Sequence, residues 1–574
     1  VSSADRSKVE HTKEASGYLH GTLADELADD GPAFAKSSTS VLKFHGIYQQ
    51  DDRDTRKERG RQGLGKDHIC MVRVAVPGGV LSPEQYFALD RLAGQVADGT
   101  IRVTTRQSIQ FHFTRKHDLP GLVGALNREL LTTLAACGDV VRNVMCCPAP
   151  LADRPAAGEL QRLAAWLGRE LKPRSDAYWQ LWMDGERVAS AAPPPAGDGE
   201  AAEPLYGPTY LPRKFKIGFA APGDNCIDTH THDIGIVPHV EDGRLVDLTL
   251  TVGGGLGMTH NKPQTYPRLG EPIARVTPEW LLAVVTEIVG IQRDHGDRAD
   301  RTQARMKYLI DSWGLGVFRG ELERRLGATL DTARELHWGD THDHLGWHPQ
   351  PDGRWFVGVR VPSGRIADTE HSALRTALRT IVADHADGVR LTPRQDVLLT
   401  GIAEGDRAAV DALLAAHGVA AVEQLTPTAR HALACPALPT CGLAISEAER
   451  VVDDMIAAVD AELATLGLDR DAVQLRVTGC PNGCARPYST EVGVVGRGAD
   501  KYTVLLGGSA EGDRLNEVFA DHVPGGDVGA ALRPALRAWR DEGEPGEAFG
   551  DFCHRTGVAA LARRAEADLA EVGA

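Results

Sequence analysis

Apolar and polar residues alternate most regularly over residues 99–113, GTIRVTTRQSIQFHF. Read as one strand, this segment turns successive side chains to opposite faces. One face carries Arg102, Thr104, Arg106, Ser108, Gln110 and His112. The other carries Ile101, Val103, Thr105, Gln107, Ile109, Phe111 and Phe113 and is mostly apolar. Such a strand is either half-exposed with a solvated polar face or a row of cations and donors prepared for a polyanion. TYLPRKFKIGF sets Lys214 and Lys216 two apart, on one face of a further strand; alone, that pattern is an ordinary solvated face. Arg73, in CMVRVAVPGG, and Arg142, in VVRNVMCCP, stand inside apolar runs. A guanidinium there is costly unless it meets an anion, whether a ligand or a buried carboxylate. Residues 556–571 pattern as an amphipathic terminal helix. Roughly the first 40 residues read as a polar arm with one short helix, and 188–204, VASAAPPPAGDGEAAEP, as a surface loop.

The pattern repeats. IRVTTRQ at 101–107 returns as VRLTPRQ at 389–395, so that Arg102, Thr104, Arg106 and Gln107 correspond to Arg390, Thr392, Arg394 and Gln395, an offset of 288. AVPGG around Pro77 returns as RVPSG around Pro362. The spacing Arg142–Cys147–Pro148 returns as Arg430–Cys435–Pro436, again offset by 288. Three landmarks in one order at nearly one offset indicate two related halves. The expected fold is α+β and pseudo-two-fold, each half a smaller unit followed by a larger one, with the site between the halves. TYLPRKFKIGF is expected to match LRVTGC in the second half, so that one half presents lysines where the other presents thiolates.

Charge narrows the function classes. The 574 residues include 79 acidic and 63 basic side chains, a net charge of −16, which argues against nucleic-acid or membrane binding through a basic face. No apolar run approaches the length of a membrane span. The N-terminus lacks a secretory apolar stretch, so the cytosol is the expected compartment. GGGLG at 253–257 lacks the spacing of a dinucleotide fingerprint. With no visible site for NADPH or flavin, electrons would come from another protein. There is no Ser–His–Asp or HExxH signature.

Ten cysteines in a reducing compartment are more often ligands or reactive thiols than disulfides. Cys70, Cys137, Cys146, Cys147, Cys226 and Cys553 are scattered and are expected to be buried and inert. Cys435 and Cys441 lie in ACPALPTCGLA, Cys480 and Cys484 in TGCPNGCARP. Four thiolates suit an iron–sulfur cube or a tetrahedral ion, though C-x5-C falls outside the usual zinc spacing. At this point an iron–sulfur cluster, zinc and unrelated buried thiols all stand open.

CPALPTC with TGCPNGCARP resembles the cysteine signature of the siroheme-dependent sulfite and nitrite reductases. FHGIYQQDDRDTRKERG (44–60), IRVTTRQSIQFHF, TYLPRKFK and GEPGEAFGDF (543–552) are similar to the haemoprotein subunits of bacterial NADPH-dependent sulfite reductases. The resemblance runs nearly the length of the chain. It implies two ferredoxin-like half-units, 71–135 and 348–422, and two larger α+β units. The first, 136–347, binds the anion and siroheme; the second, 423–574, binds the cluster and siroheme; an arm, 1–70, precedes them. It implies a 4Fe–4S cluster on Cys435, Cys441, Cys480 and Cys484, with Cys484 also ligating the siroheme iron. Arg73, Arg142, Lys214 and Lys216 would surround the substrate. Arg102, Thr104, Thr105, Arg106, Gln110 and His112 would hold the macrocycle, although Thr105 points to the other face of a regular strand. The implied activity is assimilatory six-electron reduction of sulfite. The electron donor would be a flavoprotein with FAD and FMN, or ferredoxin. Nitrite reduction to ammonia is the nearest alternative, and a non-catalytic iron–sulfur carrier a more distant one. In the nitrite branch the position of Lys216 is commonly Asn; lysine suits a dianion better.

Overall fold

The computed structural model describes residues 5–154, 156–178, 180–183, 186–190, 203–339, 343–468 and 471–572. Most of the expected loop at 188–204 lies outside them. Four five-stranded sheets carry the architecture. Two are ferredoxin-like in content. One runs Ile47–Asp51, His68–Val74, Ile109–Thr114, Ile101–Val103, Arg365–Ile366; the other runs Gly346–Pro349, Trp355–Val359, Val397–Ile402, Gly388–Leu391, Val80–Leu81. Each sheet is therefore completed by a short strand from the other half. Arg365 pairs with Arg102, and Arg390 with Val80. Helices Pro83–Val96, Leu119–Arg128, Leu374–Asp384 and Arg407–Ala416 accompany the two sheets.

The exchange is locked by two glutamines related by the pseudo-dyad. Gln107 Nε2 donates to Leu391 O at 2.9 Å and to Cys146 O at 2.7 Å, while Gln395 Nε2 donates across to Val103 O at 3.5 Å and within its own half to Ser363 O at 3.1 Å. Both sit at left-handed φ, 50° and 73°. Beside them Gly79 and Gly364 share φ of +76°; a Cβ at Gly364 would lie 2.2 Å from Val103 O, so the crossing requires glycine.

The other two sheets match each other strand for strand. Met145–Cys146, Ile217–Phe219, Ile234–Glu241, Arg244–Val252 and Glu271–Val276 correspond in order to Leu433–Ala434, Leu475–Thr478, Val492–Gly498, Lys501–Leu506 and Glu517–Val523. Their inner strands are buried apolar runs: Ile234, Ile236, Leu248, Leu250, Val492, Val494, Val504 and Leu506 are all fully enclosed. Helices Leu281–His295 and Val452–Leu466 belong to the first and second of these units, and Val558–Val572 closes the chain where an amphipathic helix is expected.

The N-terminal arm departs from expectation. Where one short helix is expected in roughly the first 40 residues, the described residues up to Leu42 form three, Lys8–Ala15, Leu23–Ala28 and Ser38–Leu42, and they are docked. Glu10 and Lys13 are fully buried, Glu10 bridging Lys13 and Arg298, and Lys13 Nζ donating to Leu211 O at 2.7 Å and facing Asp139 at 3.7 Å. Charges that pair inside leave the composition polar, so the sequence reads as solvated where the fold is closed. Among the described residues no helix is long and apolar enough to cross a membrane.

Candidate metal centre and anion pocket

Strand Leu433–Ala434 delivers Cys435, whose N–H donates to Val477 O at 3.2 Å, so the first cysteine is pinned to the neighbouring strand. The turn that follows brings in Cys441. Arg53 clamps it from the arm, donating to Cys441 O at 3.2 Å and Ala444 O at 2.5 Å. Cys480 and Cys484 follow strand Leu475–Thr478 in a tight loop. Gly479 N–H donates to Cys435 Sγ at 3.4 Å, and Asn482 Nδ2 to Cys484 Sγ at 3.3 Å. A Cβ at Gly479 would lie 2.4 Å from Ser446 O, so only glycine brings the two cysteine segments this close. Burial raises the Cys435, Cys441 and Cys480 thiols, the last to about 12, and the neighbouring Cys484 raises all three further. Such a group needs a cationic centre to ionise.

Cations crowd the space next to this loop. Lys214 Nζ donates to Asn482 Oδ1 at 3.4 Å and lies within electrostatic reach of Cys484. Burial holds Lys214 well below the usual lysine range, reinforced by Arg142, Arg213 and Arg305. Lys216 is lowered likewise by burial, then by Arg106 and Lys214. Arg106 is lowered to about 9 by burial, with Arg142 and Arg73 adding to the effect. The nearest carboxylates are already taken: Asp233 pairs with Arg305 at 2.8 Å and Asp139 with Arg301 at 2.8 Å. Arg73 donates to Cys137 Sγ at 3.0 Å. Arg142 donates to Gly138 O at 3.1 Å and shares a hydrogen bond with Tyr48. The structure thus links Arg73, Arg106, Arg142, Lys214 and Lys216 by electrostatic contacts, with Lys214 the one that reaches Cys484.

Two sequence expectations need correction. Residues 99–113 are not one strand. They form a hairpin, Ile101–Val103 and Ile109–Thr114, because Thr104 Oγ1 accepts from the N–H of both Arg106 and Ser108 at 3.2 Å, and Gln107 takes a left-handed conformation. Thr104, Thr105 and Arg106 ride on the turn, and Thr105 Oγ1 reaches Cys484 O at 3.0 Å, so strand alternation does not apply to Thr105. Nor do the lysines occupy the counterpart of the cysteine pair. The pairings Met145–Gly218 and Leu433–Arg476 fix the register between halves. They set Lys214 and Lys216 against Ala472 and Gln474, and Cys480 and Cys484 against Pro222 and Cys226.

The remaining residues divide. Arg102 is engaged within the protein, donating to Glu449 at 3.1 Å and Ala434 O at 3.0 Å. Gln110, turned so that its oxygen faces Arg73, accepts from Arg73 Nη2 at 2.5 Å. His112 is buried with neither ring nitrogen hydrogen-bonded, and Arg106 Nε is likewise without a partner. Burial and three arginines keep His112 neutral, well below the usual range. Arg53, Asn482 and Glu449 were not singled out from sequence. Arg53 lies in the 44–60 segment and Asn482 between two cysteines; Glu449 carries no local signal.

The family profile described as the nitrite and sulphite reductase 4Fe–4S domain matches residues 137–330 and 426–572. The nitrite/sulfite reductase ferredoxin-like half domain matches 61–129 and 348–417. The chain belongs to the nitrite and sulfite reductase family. The 4Fe–4S domain of the family spans all four clustered cysteines, and the duplication seen in the sheets is the family's own. A sulfite reductase (NADPH) hemoprotein beta-component of Xylella fastidiosa is 44% identical over 557 residues, 97% of each chain. A sulfite reductase (ferredoxin) of Synechococcus elongatus is 44% identical over 571 residues, 98% of this chain and 91% of the relative. The structure of the Mycobacterium tuberculosis NirA protein superposes with a TM-score of 0.78, covering 96% of this chain and 97% of that one at 22% identity, a likeness of fold.

Proposed function

We propose that the chain is the catalytic haemoprotein of an assimilatory sulfite reductase. In this reading a 4Fe–4S cluster on Cys435, Cys441, Cys480 and Cys484 is coupled through Cys484 to a siroheme. The observation that carries it is the crowd of cations beside the cysteine loop, whose nearest carboxylates are already paired. Buried cations of this kind either give up a proton, as the lowered lysines do, or meet an anion, and the guanidiniums cannot give theirs up. The pocket also fits a macrocycle rich in carboxylates: His112 and Arg106 keep buried nitrogens without partners in the protein. Thr104, Thr105 and Gln110 complete that wall, and Arg102 acts from behind it through Glu449 and Ala434. The relatives' names point to sulfite as the substrate.

When bound, the siroheme and cluster supply the iron centre and the electrons, one at a time. Sulfite with six electrons and seven protons gives hydrosulfide and three waters. Arg73 and Arg142, permanently charged, hold the sulfite oxygens and draw charge from them. Lys214 and Lys216 donate Nζ protons to the departing oxygens and are reprotonated from ordered water. The electrons come from a separate protein. Relatives are named for both NADPH and ferredoxin, so the donor is either a flavoprotein or ferredoxin. We place the enzyme in the cytosol and divide it at 70, 135, 347 and 422.

The visible spectrum of the purified chain tests the reading. A chlorin-type long-wavelength band that shifts on adding reductant and sulfite is expected. An iron–sulfur shoulder alone, in protein with its full iron, would leave a carrier rather than an enzyme.

A further inference from the structure

The register between halves carries the cluster site into the first half. Cys147 N–H donates to Phe219 O at 3.2 Å, as Cys435 N–H donates to Val477 O at 3.2 Å. From the aligned strands Ile217–Phe219 and Leu475–Thr478 the two chains run on without a gap to the paired Gly235 and Gly493. Cys147 therefore stands at the counterpart of Cys435, Cys226 at that of Cys484, and Asp224 at that of Asn482. The other two cluster positions are Asp153 and Pro222. Half the thiols of a second cluster site are present and half are gone.

What remains has closed up. The ligand atoms of Cys147, Asp224, Cys226 and His344 all lie within 4.8 Å of one another, and all four residues are buried, at most 5% exposed. His344 arrives from the segment between the two family matches, at a left-handed φ of 61°. Its Nε2 lies 3.6 Å from Cys147 Sγ and 3.4 Å from Asp224 Oδ2. A tetrahedral zinc with bonds of about 2.3 Å to sulfur and about 2.05–2.1 Å to nitrogen and oxygen sets those same pairs about 3.6 Å and about 3.4 Å apart.

We propose that Cys147, Asp224, Cys226 and His344 form a structural zinc site, separate from the iron–sulfur centre and built on its pseudo-symmetric counterpart. The surroundings suit a metal. Arg154 Nη1 donates to Asp224 Oδ2 at 2.7 Å and Cys226 N–H to Oδ1 at 2.9 Å, so the carboxylate is held from outside as ligating carboxylates are. Two thiolates, one carboxylate and a divalent ion leave one negative charge, which Arg154 balances. Binding requires both thiols and the imidazole deprotonated, and the protons they hold are released to solvent. The ion would tie three separate segments together: the strand end at Cys147, the 221–228 turn, and the connection into the second ferredoxin-like unit. It would thereby fix the connection between the two halves.

The test is metal analysis of the full-length holoprotein, purified without a metal-affinity step from zinc-supplemented cells. It is paired with X-ray absorption at the zinc edge, which iron does not obscure. About one zinc per chain is expected, with two sulfurs at about 2.3 Å and two nitrogen or oxygen atoms at about 2.0 Å. His344→Ala and Cys226→Ser should each lose zinc at least ~10-fold with iron per chain unchanged. Protein with its full iron but under about a tenth of a zinc per chain would overturn the proposal. So would zinc retained in both variants, a shell of oxygen and nitrogen only, or a Cys147–Cys226 disulfide in unreduced peptides. If neither variant folds, the wild-type zinc content and its shell decide alone.

Discussion

Replacing Glu449 by glutamine removes one charge from a junction where both halves and the cluster unit meet. Glu449 accepts from Arg102 Nε at 3.1 Å and from Arg365 Nε and Nη2 at 2.7 and 3.1 Å, and its own N–H donates to Cys435 O at 3.1 Å. Arg102 and Arg365 are partners on adjacent exchanged strands. Glutamine keeps the shape and one acceptor but turns an amide N–H₂ toward a guanidinium. Each charge-assisted bond is worth about 1.5–3 kcal/mol, and leaving one side of a buried pair uncompensated costs about 3–5 kcal/mol. We expect a loss of about 4 kcal/mol at pH 7, or roughly 10 °C in Tm if the cooperative unit is a single domain. Calorimetry at one scan rate measures it. Burial opposes ionisation of Glu449, but the two arginines outweigh it and hold the carboxyl below its usual value of 4.5. A depressed carboxyl contributes stability above its unfolded pKa and loses it as pH falls through the folded one. The gap between wild type and variant should therefore be full at neutral pH and close progressively below pH 4.5. Equal Tm values at pH 7, or a gap that persists unchanged on acidification, would refute the reasoning.

Cys484→Ser is expected to lower iron per chain and abolish sulfite reduction; turnover with an unaltered spectrum would remove Cys484 as the shared ligand. Lys216→Asn should weaken sulfite reduction more than nitrite reduction in paired steady-state assays, whereas equal losses would detach Lys216 from the choice between dianion and monoanion. Asp139→Asn strands Lys13 and Arg301. It should cost roughly 3 kcal/mol at pH 7 in thermal unfolding, with the penalty shrinking in acid because Arg301 and Lys13 hold the native carboxyl far below 3.8.

The duplication was legible because it is written in side chains that the crossing itself needs. Gln107 and Gln395 bridge the halves, and the prolines at 77 and 362 open matching turns. The 4Fe–4S domain of the family was legible in the two cysteine pairs it spans, since iron–sulfur chemistry restricts both residue type and spacing. The hairpin at 104–108 was not, because its Thr and Ser keep the alternation of a strand while bonding to their own backbone. The docked arm was hidden by internal pairing of Glu10, Lys13 and Arg298, which composition cannot distinguish from solvation. The register of the lysines against Gln474 needed strand partners, and single-chain similarity supplied a plausible but displaced match. Glu449 could not be found from sequence at all, since its two arginines lie 347 and 84 residues away.

The reciprocal exchange of edge strands also sets a timetable for synthesis. The first ferredoxin-like sheet has its own strands by Thr114 but lacks its edge until Arg365–Ile366 leaves the ribosome. At about 5–20 residues per second that interval is roughly 13–50 s, during which Ile101–Val103 offers an unpaired edge. The strand waiting there is only three residues long, too short to template pairing with a stranger efficiently yet long enough to receive its two-residue partner. A gene split between the halves would yield two products, each missing a strand that only the other encodes. Co-expressed, they should find each other; made alone, each should be an aggregation hazard.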